Sequence, residues 1–310
     1  MDNGQIAKDE KMRLNLKSIN DIYVPFIKMQ YMKHIKVLLL LLVAFITQVS
    51  AFAGSSFSMP GDTSSFGRNE KAGNYLSIRG FKMYYEIYGK GEPLLMIHGN
   101  SGSISSFVNQ IPYFAKNYKV IAVDSRAQGK SLDTSDSLSF EMMADDFSAL
   151  LDALHIDSCN VLGWSDGGIN GLILAIRHPG KVKKLAITGA NLWPDSTAIS
   201  GADFIGGMRY YDTLGKMPQT PEIMNTRKLV KLDAFEPHIT REQLHQIKCP
   251  TLVIGGDHDI ILPEHTLLIA KLIPNAFLWI LPNSSHSTLF DYKDLFNKVV
   301  ADFLGNQLRK

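Results

Sequence analysis

From Asn74 onward, short apolar runs rich in β-branched residues alternate with longer runs of helical periodicity, and no other feature of this 310-residue chain constrains its fold as strongly. A parallel pairing of strands needs a crossover long enough to hold a helix, so such alternation predicts a mostly parallel sheet with helices on both faces. Tyr75 to Arg79 and Lys82 to Tyr88 read as a hairpin around Gly80. Pro93 to His98, Lys119 to Asp124, Asn160 to Trp164, Val182 to Thr188, Thr251 to Gly255 and Phe277 to Leu281 read as further strands, which makes eight. Helices are expected over Phe140 to His155, Gly168 to His178, Pro263 to Leu272 and Leu289 to Leu304, the first opened by a Ser139 N-cap with Glu141 in its first turn. Between Ala190 and Gln246 the regularity lapses: Trp193, Phe204, Tyr210, Tyr211 and Met217 are interspersed with Gly and Pro and no strand is evident. A stretch of that length is more often functional or self-structured than a bare loop, and it is read as a small cap insertion at about 191–246.

Gly163-Trp164-Ser165-Asp166-Gly167-Gly168 fits G-x-S-x-G, preceded by apolar strand residues (Val161, Leu162) and followed by a helical run (Leu172, Ile173, Ala175, Ile176). In that context the serine sits on a sharp strand-to-helix turn, whose crowding explains the flanking glycines. A serine hydroxyl is a poor nucleophile at neutral pH and needs a base to take its proton and an acid to orient the base. Two later post-strand loops offer them. Gly256-Asp257-His258-Asp259 supplies two carboxylates, either of which could face the base, and Asn283-Ser284-Ser285-His286-Ser287 supplies His286. Asp257 and His258 alone cannot complete a metal site, and no further His/Asp cluster lies nearby, so no metal and no cofactor are expected. His98 reads as a packing and hydrogen-bonding residue, and Asp124 to Ser131 as a structural turn.

Taken together these segments, from roughly Tyr75 to Leu304, resemble the single-domain α/β-hydrolase family. Gly163 to Ile169 and the later Thr188-Gly189-Ala190-Asn191 are similar to its valacyclovir-hydrolase (biphenyl hydrolase-like) branch, which cleaves α-amino-acid esters. The resemblance implies the chain order Ser165, Asp259, His286 for a catalytic triad, with Asp259 at the acid position of the family's G-x-x-D…P pattern, here Gly256 to Pro263. It implies an oxyanion hole from the backbone N–H groups of Asn100 and Asp166. It also implies that the Asp166 carboxylate recognises a substrate amine or else braces the elbow, with Trp164 as a second substrate-binding candidate. The expected partner is then a small-molecule carboxylic ester, cleaved through an acyl-serine. Carbon–carbon bond hydrolysis, cofactor-free perhydrolysis and a non-catalytic ligand-binding role are the alternatives on the same fold.

The remaining features bear on location. Val37 to Ile46 is an uninterrupted apolar run, preceded by Lys33, His34 and Lys36 and followed by Ala51-Phe52-Ala53-Gly54, the pattern of a secretory signal peptide. Residues 1–53 are accordingly read as an N-terminal extension plus signal, 54–73 as a linker and 74–310 as the hydrolase domain. Translation is expected to start at Met32, since a signal peptide does not carry some 30 residues ahead of its basic region. The protein is expected to be periplasmic or secreted with no stable membrane partner after cleavage, the alternative being an anchor through residues 37–53. The first 36 residues hold seven basic and four acidic side chains; without them the chain's 32 basic and 30 acidic residues become 25 and 26, leaving no nucleic-acid footprint. Cys159 and Cys249 start strands expected to be two apart, about 9.5 Å, beyond the Cα limit of about 7 Å for a disulfide, so both are read as free thiols.

Overall fold

The computed structural model describes residues 65–308. The expected signal peptide and most of the expected linker lie outside the described residues. Eight strands form one sheet in the order β1-β2-β4-β3-β5-β6-β7-β8. β1 (Gly73–Ile78) and β2 (Phe81–Tyr88) are an antiparallel hairpin, and β2 also runs antiparallel to β4 (Tyr118–Val123). β3 (Glu92–Ile97), β4, β5 (Cys159–Trp164), β6 (Val182–Thr188), β7 (Thr251–Gly256) and β8 (Ala276–Leu281) are all parallel. The hairpin closes through Arg79 and Gly80, at φ 43° and 88°. Positive φ at both central residues is the two-residue turn whose twist matches that of paired strands.

Alternate residues of the central strands feed two separate cores, as a period of two requires. Leu95, Ile97, Val161, Leu185, Ile187 and Val253 point to one face, covered by α2 (Phe140–Ala153) and α3 (Asp166–Arg177) with Ile269 of α7 (Pro263–Leu272). Leu94, Met96, Leu162, Ala186, Leu252 and Ile254 point to the other, covered by the short α1 (Ile111–Phe114) and α9 (Lys293–Leu304). α2 is amphipathic in the expected register, burying Phe140, Met143, Phe147, Leu150 and Leu151, and the Ser139 hydroxyl accepts from the Met142 N–H.

Three differences from the sequence reading have local causes. The helix expected over Leu289 to Leu304 is two: α8 (Thr288–Asp291) and α9, separated at Tyr292, whose ψ of 39° is not helical. Asp291 turns its carboxylate back onto Ser285, and the Tyr292 hydroxyl donates to the Pro282 carbonyl. The cap stretch is helical, with α4 (Gly201–Lys216), α5 (Pro221–Phe235) and α6 (Arg241–His245), capped by Ser200, Thr220 and Thr240 respectively. The end of the expected linker is pinned to the sheet, because the buried Glu86 carboxylate accepts from the Gly67 and Asn69 N–H groups and from the hydroxyls of Tyr84 and Tyr88.

The turn after β4 is structural. Asp124 accepts the N–H groups of Ile104 and Lys130, while Arg126 forms two hydrogen bonds to buried Asp146 and lies 3.9 Å from the Phe81 ring centre. Cys159 and Cys249 are free thiols. No helix among the described residues is long and apolar enough to cross a membrane.

Candidate active site

The loops at the carboxyl ends of β3, β5, β7 and β8 meet above the sheet, where open α/β sheets place ligands. Ser165 stands between β5 and α3 at φ 55° and ψ −121°, a conformation that non-glycine residues hold only when their surroundings impose it. The imposition is visible in the contacts. A Cβ at Gly163 would lie 2.1 Å from the Gly167 carbonyl oxygen, and one at Gly167 would lie 1.8 Å from that of Ile97, so only glycine lets strand, turn and helix pass this closely. The Ser165 N–H donates to the Thr188 carbonyl of β6 at 2.8 Å, which fixes the turn to the neighbouring strand.

His286, in the loop after β8, brings Nε2 to 2.9 Å from Ser165 Oγ and Nδ1 to 2.6 Å from Asp259 Oδ1. A carboxylate can only accept, so Nδ1 carries the hydrogen and Nε2 is left to accept from the serine hydroxyl. Asp259 is buried and also accepts the Ile261 N–H at 2.9 Å. Asp257, the other carboxylate of that loop, faces away: it pairs with exposed His258 and accepts the Ser284 N–H, and those bonds hold it low, at about 2. The geometry thus separates two carboxylates that residue type left equivalent and that only the family pattern told apart.

The imidazole is held from two further sides. Trp164 donates its indole N–H to the His286 carbonyl at 2.9 Å and packs edge-on against Phe290, so its polar atom is spent on the His286 loop. Gly189, at φ 65°, passes beneath the ring, where a Cβ would lie 2.7 Å from His286 Cε1. The loop after β3 abuts the serine, with a Cβ at Gly99 placed 3.0 Å from Ser165 Cβ. His98, beneath that loop, accepts the Ser125 N–H at Nε2 and donates from Nδ1 to the Gly99 carbonyl; burial pushes it down to about 4, so it is a neutral brace. Asp166 is the first residue of α3, where a helix leaves its N–H groups without intrahelical partners.

The Asp166 side chain is buried and accepts from Asn100 Nδ2 at 2.9 Å, and the same amide donates to the Leu229 carbonyl of α5 at 3.0 Å. Burial, and then the negative charge of Asp233 on α5, lifts the Asp166 carboxyl well above the usual carboxylate range. Asp233 was not singled out in the sequence; nothing around it in that charged helix marks it, and only folding brings it to the elbow. A cavity of 510 Å³ between residues 133–136 and the outer side of α5, lined among others by Tyr211, Arg227 and Lys231, touches none of Ser165, Asp259 and His286. Among the described residues no group of three or more His, Cys, Asp or Glu could hold a metal ion.

The model of the alpha/beta hydrolase fold family matches residues 92–234, from β3 into the cap. The chain has the α/β-hydrolase fold of that family. Among hydrolases of this family, mouse serine hydrolase BPHL is 29% identical over 252 residues, covering 74% of this chain and 85% of the mouse protein. The 2-hydroxymuconate semialdehyde hydrolase of Pseudomonas sp. (strain CF600) is 26% identical over 277 residues, covering 75% and 94%. The crystal structure of MGS-M2, an α/β-hydrolase enzyme from a Medee basin deep-sea metagenome library, superposes with a TM-score of 0.67 at 21% identity, covering 76% of this chain and 98% of that one.

Proposed function

We propose that this hydrolase cleaves small carboxylic esters through an acyl-serine intermediate formed on Ser165. The observation that carries the reading is the continuous hydrogen-bonded chain Ser165–His286–Asp259, at 2.9 and 2.6 Å, ending on a serine held in a strained turn. His286 takes the serine proton as Oγ attacks the ester carbonyl and returns it to the departing alkoxide. Asp259 holds the imidazole in the required tautomer and stabilises its cation. The oxyanion is received by the backbone N–H groups of Asn100 and Asp166, and water, deprotonated by His286, then releases the acid. This route uses no cofactor.

The test is hydrolysis of a p-nitrophenyl ester by the full chain and by Ser165→Ala, with a fluorophosphonate probe that labels an activated serine. Turnover and labelling lost together in the variant are expected. An intact protein that neither turned over nor labelled would move a ligand-binding role to the front.

One observation favours a narrower substrate class. The Asp166–Asp233 pair adjoins the nucleophile, and no Lys or Arg forms an ion pair with it among the described residues. An ester with a protonated amine near its carbonyl would complement that charge. Rates for an aminoacyl ester and its des-amino analogue, each with the wild type and Asp166→Ala, decide it: equal rates in all four remove the amine. Because one relative is named as a semialdehyde hydrolase, a ring-cleavage ketone substrate belongs in the same panel.

A further inference from the structure

We propose that the Asn100 side chain is a positioning group that ties seating of the cap to assembly of the oxyanion hole. This rests on the reading of Asn100 and Asp166 as the oxyanion donors, and it adds to their backbone N–H groups a side-chain link from one to the other and on to the cap. A carboxamide offers two N–H donors and one carbonyl acceptor, and at Asn100 all three are engaged. Nδ2 donates to Asp166 Oδ2 at 2.9 Å and to the Leu229 carbonyl at 3.0 Å, while Oδ1 accepts from Ser101 Oγ at 2.8 Å. A backbone carbonyl can only accept, so Leu229 fixes which end of the carboxamide faces the cap.

The two donor residues lie 66 apart in sequence, one in the loop after β3 and the other at the start of α3, and the Asn100–Asp166 bond joins them directly. From beneath, the loop is braced through its backbone: the Gly99 carbonyl accepts from His98 Nδ1 and from the Gly102 N–H. From above, Asn100 reaches buried Leu229 in the middle of α5. A helical carbonyl bonded to the N–H four residues on keeps a second lone pair for such a donor. With α5 seated, both amide hydrogens are anchored and the plane of the carboxamide is fixed, which holds Asn100 in register with Asp166. With α5 lifted, one hydrogen loses its acceptor, the carboxamide turns about its soft terminal torsion and the spacing of the two backbone donors relaxes. Oxyanion donors act only when they are already aimed where charge develops, so a bound ester is cleaved fastest with the cap down.

The experiment compares wild type, Asn100→Ala, Asp166→Ala and the double variant as full chains, with kcat and KM measured on a neutral p-nitrophenyl ester and hydrogen exchange followed over residues 221–235. Asn100→Ala keeps the backbone N–H, so its losses report the side chain. Its kcat is expected to fall about 30-fold with KM within about threefold, short of the roughly 10²- to 10³-fold cost of deleting an oxyanion donor outright. Exchange of α5 is expected to quicken about fivefold, as the loss of one ordinary hydrogen bond implies. Because the two side chains act through one bond, the double variant should lie within about threefold of Asn100→Ala in kcat. Losses in kcat that multiply, a kcat unchanged in Asn100→Ala, or α5 exchange that this variant leaves unaltered would each overturn the proposal. Asn100→Leu fills the same space without a donor and repeats every arm if the alanine variant does not fold. A wild type that neither turns over nor labels with a fluorophosphonate fails the hydrolase reading itself, whereas those three outcomes in a wild type that labels fail the cap tie alone.

Discussion

At the scale of single residues, the site depends on atoms that are missing as much as on those present. Gly189 leaves room for the imidazole, and the clash that a Cβ would make falls on His286 rather than on the core. Gly189→Ala is expected to lower kcat by about 100-fold, the cost of displacing a reacting group by about 1 Å. Its thermal unfolding midpoint should drop only by the few degrees that an alanine at positive φ implies. A loss of stability without loss of kcat would show that the loop gives way instead of the ring. Asp259→Asn keeps the shape of the acid but can present its NH2 to Nδ1, which stabilises the wrong tautomer; kcat on a p-nitrophenyl ester is expected to fall by about 10⁴-fold. Asp257→Asn, whose carboxylate serves the His258 and Ser284 side of the loop, is expected to stay within about twofold.

Among the elements, legibility followed burial. The central strands are enclosed on both faces, so their apolar runs marked them, and their ends fell within a residue or two of the sequence expectation. The cap was expected, but its helices escaped because they bury little: of α4 only Leu214 is fully enclosed, which leaves no apolar stripe for a period of 3.6 to reveal. Its boundaries were nonetheless written in capping chemistry, as Ser200 with Asp203, Thr220 before Pro221, and Thr240 with Gln243, the last a reciprocal capping box. Thr240→Ala removes half of that box and is expected to cost about 1 kcal/mol in urea unfolding. Ser165 and His286 could be placed because their signals are local to one turn or one loop. Asp259 could not be separated from Asp257 by residue type, since the distinction lies in which carboxylate the loop buries. Asp233 had no local signal at all, since its charge reaches Asp166 from 67 residues away in sequence.

For the whole molecule, two buried histidines set an acid limit. Burial pushes His98 and His265 down to about 4 each, below the ordinary value of 6.5. A depressed folded value means that the unfolded chain takes up protons first as pH falls. The stability these groups contribute is therefore complete above about pH 6.5 and is lost between there and about pH 4, on the order of 3 kcal/mol for each. Urea midpoints should fall over that window, and His265→Gln, which keeps an acceptor for the Leu192 N–H, should remove about half of the fall. If the run Val37 to Ile46 directs export, the N-terminus of the mature protein will be found near Gly54 by mass spectrometry.

The cap enters after β6 and returns before β7; the bridge between Ile199 and Ile261 ties its entering end to the body, and the Ile239 N–H on the Leu192 carbonyl ties its two ends to each other. Ser165, Asp259 and His286 all lie outside that excursion, and Thr188, just before it, accepts the Ser165 N–H and shares a hydroxyl contact with Thr288 beside the His286 loop. On the proposed reading, the bond-breaking residues and the cap above them are thus separate parts of one chain. Evolution, or a designer, can exchange the second like a fitting at fixed sockets, the Asn100 amide on the Leu229 carbonyl being one point where the two meet.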